Sequence, residues 1–100
     1  MRRAGQAGSP RVVVYTAEGC GLCEQALEVV RAARAELAFE LEVVDIGGHA
    51  ELERRYREHL PVVEIDGERA FTYFVEPEAL AARLRAVQAG VRRDRARAGG

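Results

Sequence analysis

The chain has no lysine and no third cysteine, and no apolar run in it approaches the ~20 residues that a transmembrane helix needs. Each absence closes off a class of protein. Two cysteines are too few for the disulfide framework of a small secreted domain, which takes about four or more. The opening residues, MRRAGQAGSP, carry arginine but no apolar segment of the kind found in a secretory leader, so the expected compartment is the cytoplasm, with no membrane association. With lysine missing, all fifteen basic residues are arginine, a bias better explained by codon composition than by function. No stacking aromatics lie among the arginines of the C-terminal VRRDRARAGG, so a solvated tail is expected there and no specific nucleic-acid surface.

At 100 residues there is room for one domain, since a chain of this size buries roughly 60 to 65% of the surface its unfolded form exposes. A hydrophobic fraction of 48% and a charged fraction of 31% place it among soluble globular proteins. The formal charge of -1 is unevenly spread: Pro10 to Ala89 hold nine arginines against fifteen carboxylates, a net -6, while both ends are basic. Residues 1–10 read as a flexible tail, 11–90 as the folded domain and 91–100 as a basic tail. A monomer is expected.

Arg11 to Thr16 (RVVVYT) is a β-branched and aromatic run of the kind buried on both faces of a sheet, hence a central strand. From Cys20 to Leu37 the apolar positions Cys23, Ala26, Leu27, Val30, Ala33 and Leu37 recur at helical spacing. Glu40 to Ile46 reads as a second strand stopped by Gly47-Gly48. Ala50 to His59 has few apolar residues, chiefly Leu52 and Tyr56. Its i,i+4 pairs Glu51 with Arg55, Glu53 with Arg57 and Arg54 with Glu58 predict a short exposed helix. Pro61 opens VVEI, Asp66-Gly67 is a two-residue hairpin signal, and Glu68 to Phe74 returns as the paired strand. Glu76-Pro77 starts a last helix with Leu80, Leu84, Val87 and Val91 on its buried stripe and Gly90 suited to a stop. The order β-α-β-α-β-β-α makes an α/β protein with a four-stranded mixed sheet flanked by helices.

In this arrangement Cys20-Gly-Leu-Cys23 begins the first helix, just past the C-terminal edge of the first strand, where α/β sheets usually meet their ligands. The helix terminus stabilises a thiolate, which can lower a cysteine pKa from ~8.5 to as little as ~3.5 in C-x-x-C motifs. Cys23, one turn on and facing the core, stands where it would resolve a mixed disulfide formed at Cys20. Gly19 and Gly21 bracket Cys20 and leave room for another chain. A proline opening a strand, as in Leu60-Pro61, points to a cis bond that would expose the backbone of Leu60 to an extended substrate. Tyr15, Tyr56, Phe71, Tyr73 and Phe74 read as core and sheet aromatics, with Tyr15 and Tyr73 nearest a substrate groove.

The run VVVYTAEGCGLC, then LEVVDI, HLPVVEIDGERAF and a final helix resembles the glutaredoxin branch of the thioredoxin fold, and most closely its short glutaredoxin-like proteins. The resemblance spans about Arg11 to Val87. It implies a thioredoxin-like fold and thiol-disulfide exchange, with Cys20 as the attacking cysteine, Cys23 as the resolving one and Pro61 as the cis-proline facing them. Substrate would lie along Leu60, Pro61, Gly21 and Leu22. The partners implied are a disulfide-bearing protein or small molecule, and a thiol or reductase as electron donor. No cofactor is required, and glutathione or another low-molecular-weight thiol would fit as donor. The chain departs from thioredoxins at Gly19 and Val14, where they place a Trp and a buried Asp. It departs from glutathione-binding glutaredoxins at Ala17, at His59-Leu60 before the proline, and at Phe71 and Thr72 after the hairpin.

Three residues stand out as modulators: Glu18 and Glu24, whose charge opposes the helix terminus, and His59, two residues before Pro61. Other readings of the cysteines are two packed thiols, a metal site, or a non-catalytic thiol or iron-sulfur carrier. A zinc set of Cys20, Cys23, His49 and His59 has the right count, but its histidines are ten apart in the chain, wider than a local His pair allows, and no metal is expected. Arg54, Arg55 and Arg57 would suit either the carboxylate of a thiol ligand or a salt-bridged helix face.

Overall fold

The computed structural model describes residues 9–99, with side chains through residue 90. Residues 1–8 of the tail expected over residues 1–10, and the side chains of Val91 and the arginines after it, lie outside the described residues. The elements are β1 (Arg11–Thr16), α1 (Gly21–Arg34), β2 (Glu40–Asp45), α2 (Ala50–Tyr56), a 3-10 turn (Arg57–His59), β3 (Val62–Ile65), β4 (Glu68–Thr72) and α3 (Pro77–Gly99). Their order is the one the sequence predicts. They form one four-stranded sheet in the order β2-β1-β3-β4, parallel between β1 and β2 and antiparallel elsewhere.

Because side chains alternate across a strand, β1 feeds two layers. Val12 and Val14 are fully buried with Val63 and Ile65 of β3, Ala26 and Val30 of α1, and Leu80 and Leu84 of α3. Val13 and Tyr15 face the other way and are only half-buried, so β1 is not covered equally on both faces as its composition predicts. The reason lies in α2, which has seven residues and covers only part of that face. Pro10, at the end of the expected tail, is buried, and its carbonyl accepts a hydrogen bond from Glu40 N–H at 2.9 Å.

The smaller layer is built on Tyr56, which is 2% exposed and packs with Ile46 and Val62. Most of α2 is exposed, as the sequence predicts, and Tyr56 is buried, as its reading as a core aromatic predicts. Leu52 and Tyr56, one turn apart, seat the helix on the sheet. The Tyr56 ring stacks on Tyr15 at 4.0 Å between centroids, and its hydroxyl donates to Glu64 at 2.8 Å. Burial, and then that hydrogen bond, raise the Tyr56 pKa well above the ordinary tyrosine value.

The charged pairs of α2 form in part as expected. Arg57 meets Glu53 at 3.1 Å, but Arg54 turns back to Glu51 at 2.9 Å, and Arg55 lies over the Tyr56 ring. The Glu53 carboxyl is held below its ordinary range, first by Gly48 N–H and then by Arg57.

At the hairpin Asp66 and Gly67 have φ of 52° and 84°, the two positive values that a tight Asp-Gly turn requires. Asp66 and Arg11 exchange two hydrogen bonds of 2.8 Å, which ties the turn to the start of β1. β4 stops at Thr72, two residues before the expected end, because Tyr73 takes φ 67° and Phe74 N–H folds back to Thr72 O at 2.7 Å. That tight turn carries Tyr73 and Phe74 out of the packing expected of them, to 42% and 68% exposed. α3 runs through Gly90 to Gly99, since one interior glycine costs only about 1 kcal/mol among alanines and arginines of high helix propensity.

Candidate active site

The loop that leaves β1 places Cys20 at the N-cap of α1 in an extended conformation, φ -93° and ψ 104°. Its sulfur accepts a hydrogen bond from Cys23 N–H at 3.1 Å, so it occupies the position where serine or aspartate usually satisfies a free donor of the first turn. Cys20 N–H donates to Ala17 O at 3.3 Å, and Glu24 N–H donates to Cys20 O at 3.2 Å. The two sulfurs are bonded to each other in a disulfide, with Cα atoms 5.2 Å apart. Burial separates the pair: Cys23 is 2% exposed and faces the core, whereas Cys20 is half-buried.

Gly19 has φ +79°, a left-handed value, while Gly21 has none. A Cβ at either would meet nothing within 4 Å, so at Gly19 the backbone and not crowding demands glycine. Gly19→Ala is therefore expected to lower stability by about 1–2 kcal/mol through the left-handed penalty alone. Gly21→Ala, in the first turn of a helix, should be neutral or stabilising. Urea midpoints of the two oxidised variants check this.

The strand register gathers the remaining candidates at the same end of the sheet. Val62 pairs with Tyr15, and Thr16 with Asp45, so Pro61 and Asp45 both arrive where the cysteine loop departs. The Leu60-Pro61 bond is cis. Leu60 is extended, at φ -66° and ψ 145°, and packs in the smaller layer, while Pro61 is buried and its carbonyl accepts from Tyr73 N–H at 3.0 Å. Gly21 is exposed. Leu22 is half-buried and shares a cleft of about 150 Å³ with Tyr73, Phe74 and Val75.

A second, open cleft of about 400 Å³ is lined by both cysteines together with Glu18, Glu24 and Asp45. The first two carboxylates are the expected ones. Asp45 was not singled out from sequence, though a signal was there: an acidic residue at the C-terminal end of a parallel strand beside β1. Tyr73 and Phe74 had no such signal, since their outward turn rests on a positive φ at a non-glycine residue.

His59 is not among the residues that line the cleft at the cysteines. Its Nδ1 lies 3.3 Å from the Tyr73 hydroxyl, which donates to Glu58 O at 2.9 Å. His49 is exposed at the start of α2. The tetrad of a zinc site is not assembled, and among the described residues no group of three or more His, Cys, Asp and Glu side chains could hold a metal ion. Among the described residues, too, no helix is long and apolar enough to cross a membrane.

A mixed sheet with this order, a disulfide at the head of its first helix and a cis-proline opening the third strand define a thioredoxin-fold protein with a C-x-x-C dithiol. The model of the "Glutaredoxin-like domain (DUF836)" family matches residues 11–85, and the chain belongs to that family. The solution structure of protein Ne2328 from Nitrosomonas europaea is similar at 33% identity and a TM-score of 0.66, covering 76% of this chain and 92% of that one. The X-ray structure of protein XcR50 from X. campestris is similar at 31% identity and a TM-score of 0.65, covering 75% of this chain and 96% of that one. A thioredoxin mutant from Halobacterium salinarum, 17% identical with a TM-score of 0.63, shares the fold, over 84% of this chain and 79% of its own. No curated protein matches the chain. The fold and the Cys20–Cys23 disulfide together point to redox chemistry with thiol-based partners.

Proposed function

We propose that the chain is a thiol-disulfide oxidoreductase in which Cys20 attacks and Cys23 resolves. The observation that carries this is the unequal burial of the two cysteines: Cys20 is the more open to an incoming partner, while Cys23 is 2% exposed and bonded to Cys20. In the reduced protein the Cys20 thiolate attacks a substrate disulfide, forming a mixed disulfide and releasing one substrate thiolate. Cys23 then loses its proton and attacks the Cys20 sulfur, which closes the Cys20–Cys23 bond and releases the second substrate thiolate. Two electrons pass from the dithiol to the substrate. The hydrogen bond from Cys23 N–H and the helix terminus behind it favour the thiolate at Cys20, against the opposing field of Glu18, Glu24 and Asp45.

Leu60, Pro61, Gly21 and Leu22 would border the bound substrate, a protein or a low-molecular-weight disulfide. The exchange itself needs no cofactor, and a thiol such as glutathione, or a reductase, would return the dithiol to its reduced state. Such a cycle suits the cytoplasm, where thiols are kept reduced. The direct test is the pH dependence of alkylation in the reduced protein, with Cys20→Ser as control. Cys20 is expected to react much faster than Cys23 and to titrate clearly below the ~8.5 of free cysteine. Slow modification of both thiols, with Cys20 at or above that value, would remove the reading.

A further inference from the structure

Resting on the oxidoreductase reading, we infer that the dithiol selects disulfides carrying positive charge next to the sulfur and disfavours anionic ones such as glutathione disulfide. Glu18, Glu24 and Asp45 line an open cleft together with both cysteines, and among the described residues no arginine or histidine lines it. They come from three separate segments: the loop after β1, the first turn of α1 and the end of β2. Among the described residues none of the three forms an ion pair. Arg57 is engaged by Glu53, a carboxylate that itself feels Asp45. Asp45 takes a hydrogen bond from Gly47 N–H at 2.8 Å, which fixes its carboxylate beside the turn after β2. The segment from Pro10 to Ala89 as a whole carries a net -6, of the same sign as the cleft.

The chemistry sharpens the effect of that field. Attack by a thiolate spreads negative charge over three sulfurs, so a carboxylate near the substrate sulfur adds repulsion to a site already lined by acids. An ammonium or guanidinium there relieves it. A cleft lined by one sign of charge raises the rate of arrival of the opposite sign by roughly 10- to 10³-fold. A charge two or three bonds from the substrate sulfur stays within the ~10 Å screening length at ~0.1 M salt. Glutathione disulfide carries four carboxylates against two ammonium groups and is disfavoured. A disulfide flanked by arginine or lysine in a protein, or one borne by a small amine, is favoured.

The experiment compares reduction of cystamine, a dication, with reduction of dithiodipropionate, a dianion, using hydroxyethyl disulfide as the neutral reference. Every rate is divided by that of dithiothreitol with the same disulfide, which removes intrinsic leaving-group differences. The expected cation-to-anion ratio is at least about tenfold, collapsing toward the dithiothreitol value in roughly 1 M salt, where the screening length is ~3 Å. The same collapse is expected in the triple variant Glu18→Gln, Glu24→Gln, Asp45→Asn, and a partial one in each single variant if the triple variant does not fold. Because the readout is a ratio, a change in Cys20 acidity shared by all substrates cancels.

Cyclic peptide disulfides flanked by arginine or by glutamate separate the two sources. A preference there as large as with cystamine assigns a protein substrate, and one confined to cystamine assigns a small amine. A ratio equal to that of dithiothreitol, or one that survives the triple variant, overturns the inference while leaving the oxidoreductase reading intact. Failure to reduce the neutral disulfide at all counts against the oxidoreductase reading itself.

Discussion

Replacing Cys20 by serine is expected to abolish disulfide exchange, by roughly 10³-fold or more, because a hydroxyl at a helix terminus does not ionise at neutral pH and cannot replace the thiolate nucleophile. Cys23→Ser is expected to fail differently. The first attack still occurs, but nothing resolves it, so one turnover leaves the substrate joined to Cys20. Mass spectrometry of the reduced variant mixed with a disulfide would show one adduct, mapped to Cys20. An adduct at Cys23 in the Cys20→Ser protein, forming as fast, would contradict the assignment of roles, since it would mean that the 2% exposure of Cys23 does not limit access. Cys23→Ala, which places no hydroxyl in the core, provides a second resolving-defective variant if serine proves too destabilising.

The largest effect on stability is expected at Tyr56, far from both sulfurs in sequence. Tyr56→Ala removes a ring that is 2% exposed, stacked on Tyr15 and hydrogen-bonded to Glu64 at 2.8 Å. The loss should be about 3–5 kcal/mol, by analogy with other buried aromatics cut to alanine. For a domain of this size that is a large share of a total of roughly 5–15 kcal/mol. Tyr56→Phe keeps the ring and loses only the hydroxyl, so it should cost about 1.5–3 kcal/mol, the usual range for a hydrogen bond to a charged group. Urea midpoints at one fixed redox state, with unchanged m-values, separate the two.

The same hydroxyl has an alkaline signature. Its pKa is raised in the folded protein, so the stabilisation it lends is fully present below the unfolded tyrosine value of ~10 and is lost as pH rises above it. The wild type should lose stability above about pH 10 more steeply than Tyr56→Phe. Parallel curves would mean that the hydroxyl is not held as the structure has it.

Much of the fold is legible in short stretches. RVVVYT has the composition of a central strand, Asp66-Gly67 meets the demand of a tight hairpin for two positive φ values, and a proline opening a strand anticipates the cis bond. The helix after Cys20 is legible from its apolar period, and its start explains why a C-x-x-C pair there has chemistry within reach. What is not legible shares another character. The sequence reads Tyr56 as a core aromatic, but two apolar residues in α2 are too few to make a periodic signal that shows how Leu52 and Tyr56 seat the helix. Phe74 was read as packed because aromatics in a strand-like run usually are. Asp45 has no motif of its own, and its place at the dithiol follows from the register that pairs it with Thr16.

What the sequence by itself determined is therefore the order of the elements, the hairpin and the placing of a dithiol at the head of a helix. These depend on backbone torsions and on side-chain periods of two and 3.6, which neighbouring residues set among themselves. Only the tertiary structure decided which aromatics leave the core, and that a carboxylate from β2 joins those flanking the dithiol in the cleft at Cys20. Burial and electric field are sums over atoms distant in sequence, and they take a value only when the strands have paired and the helices have packed.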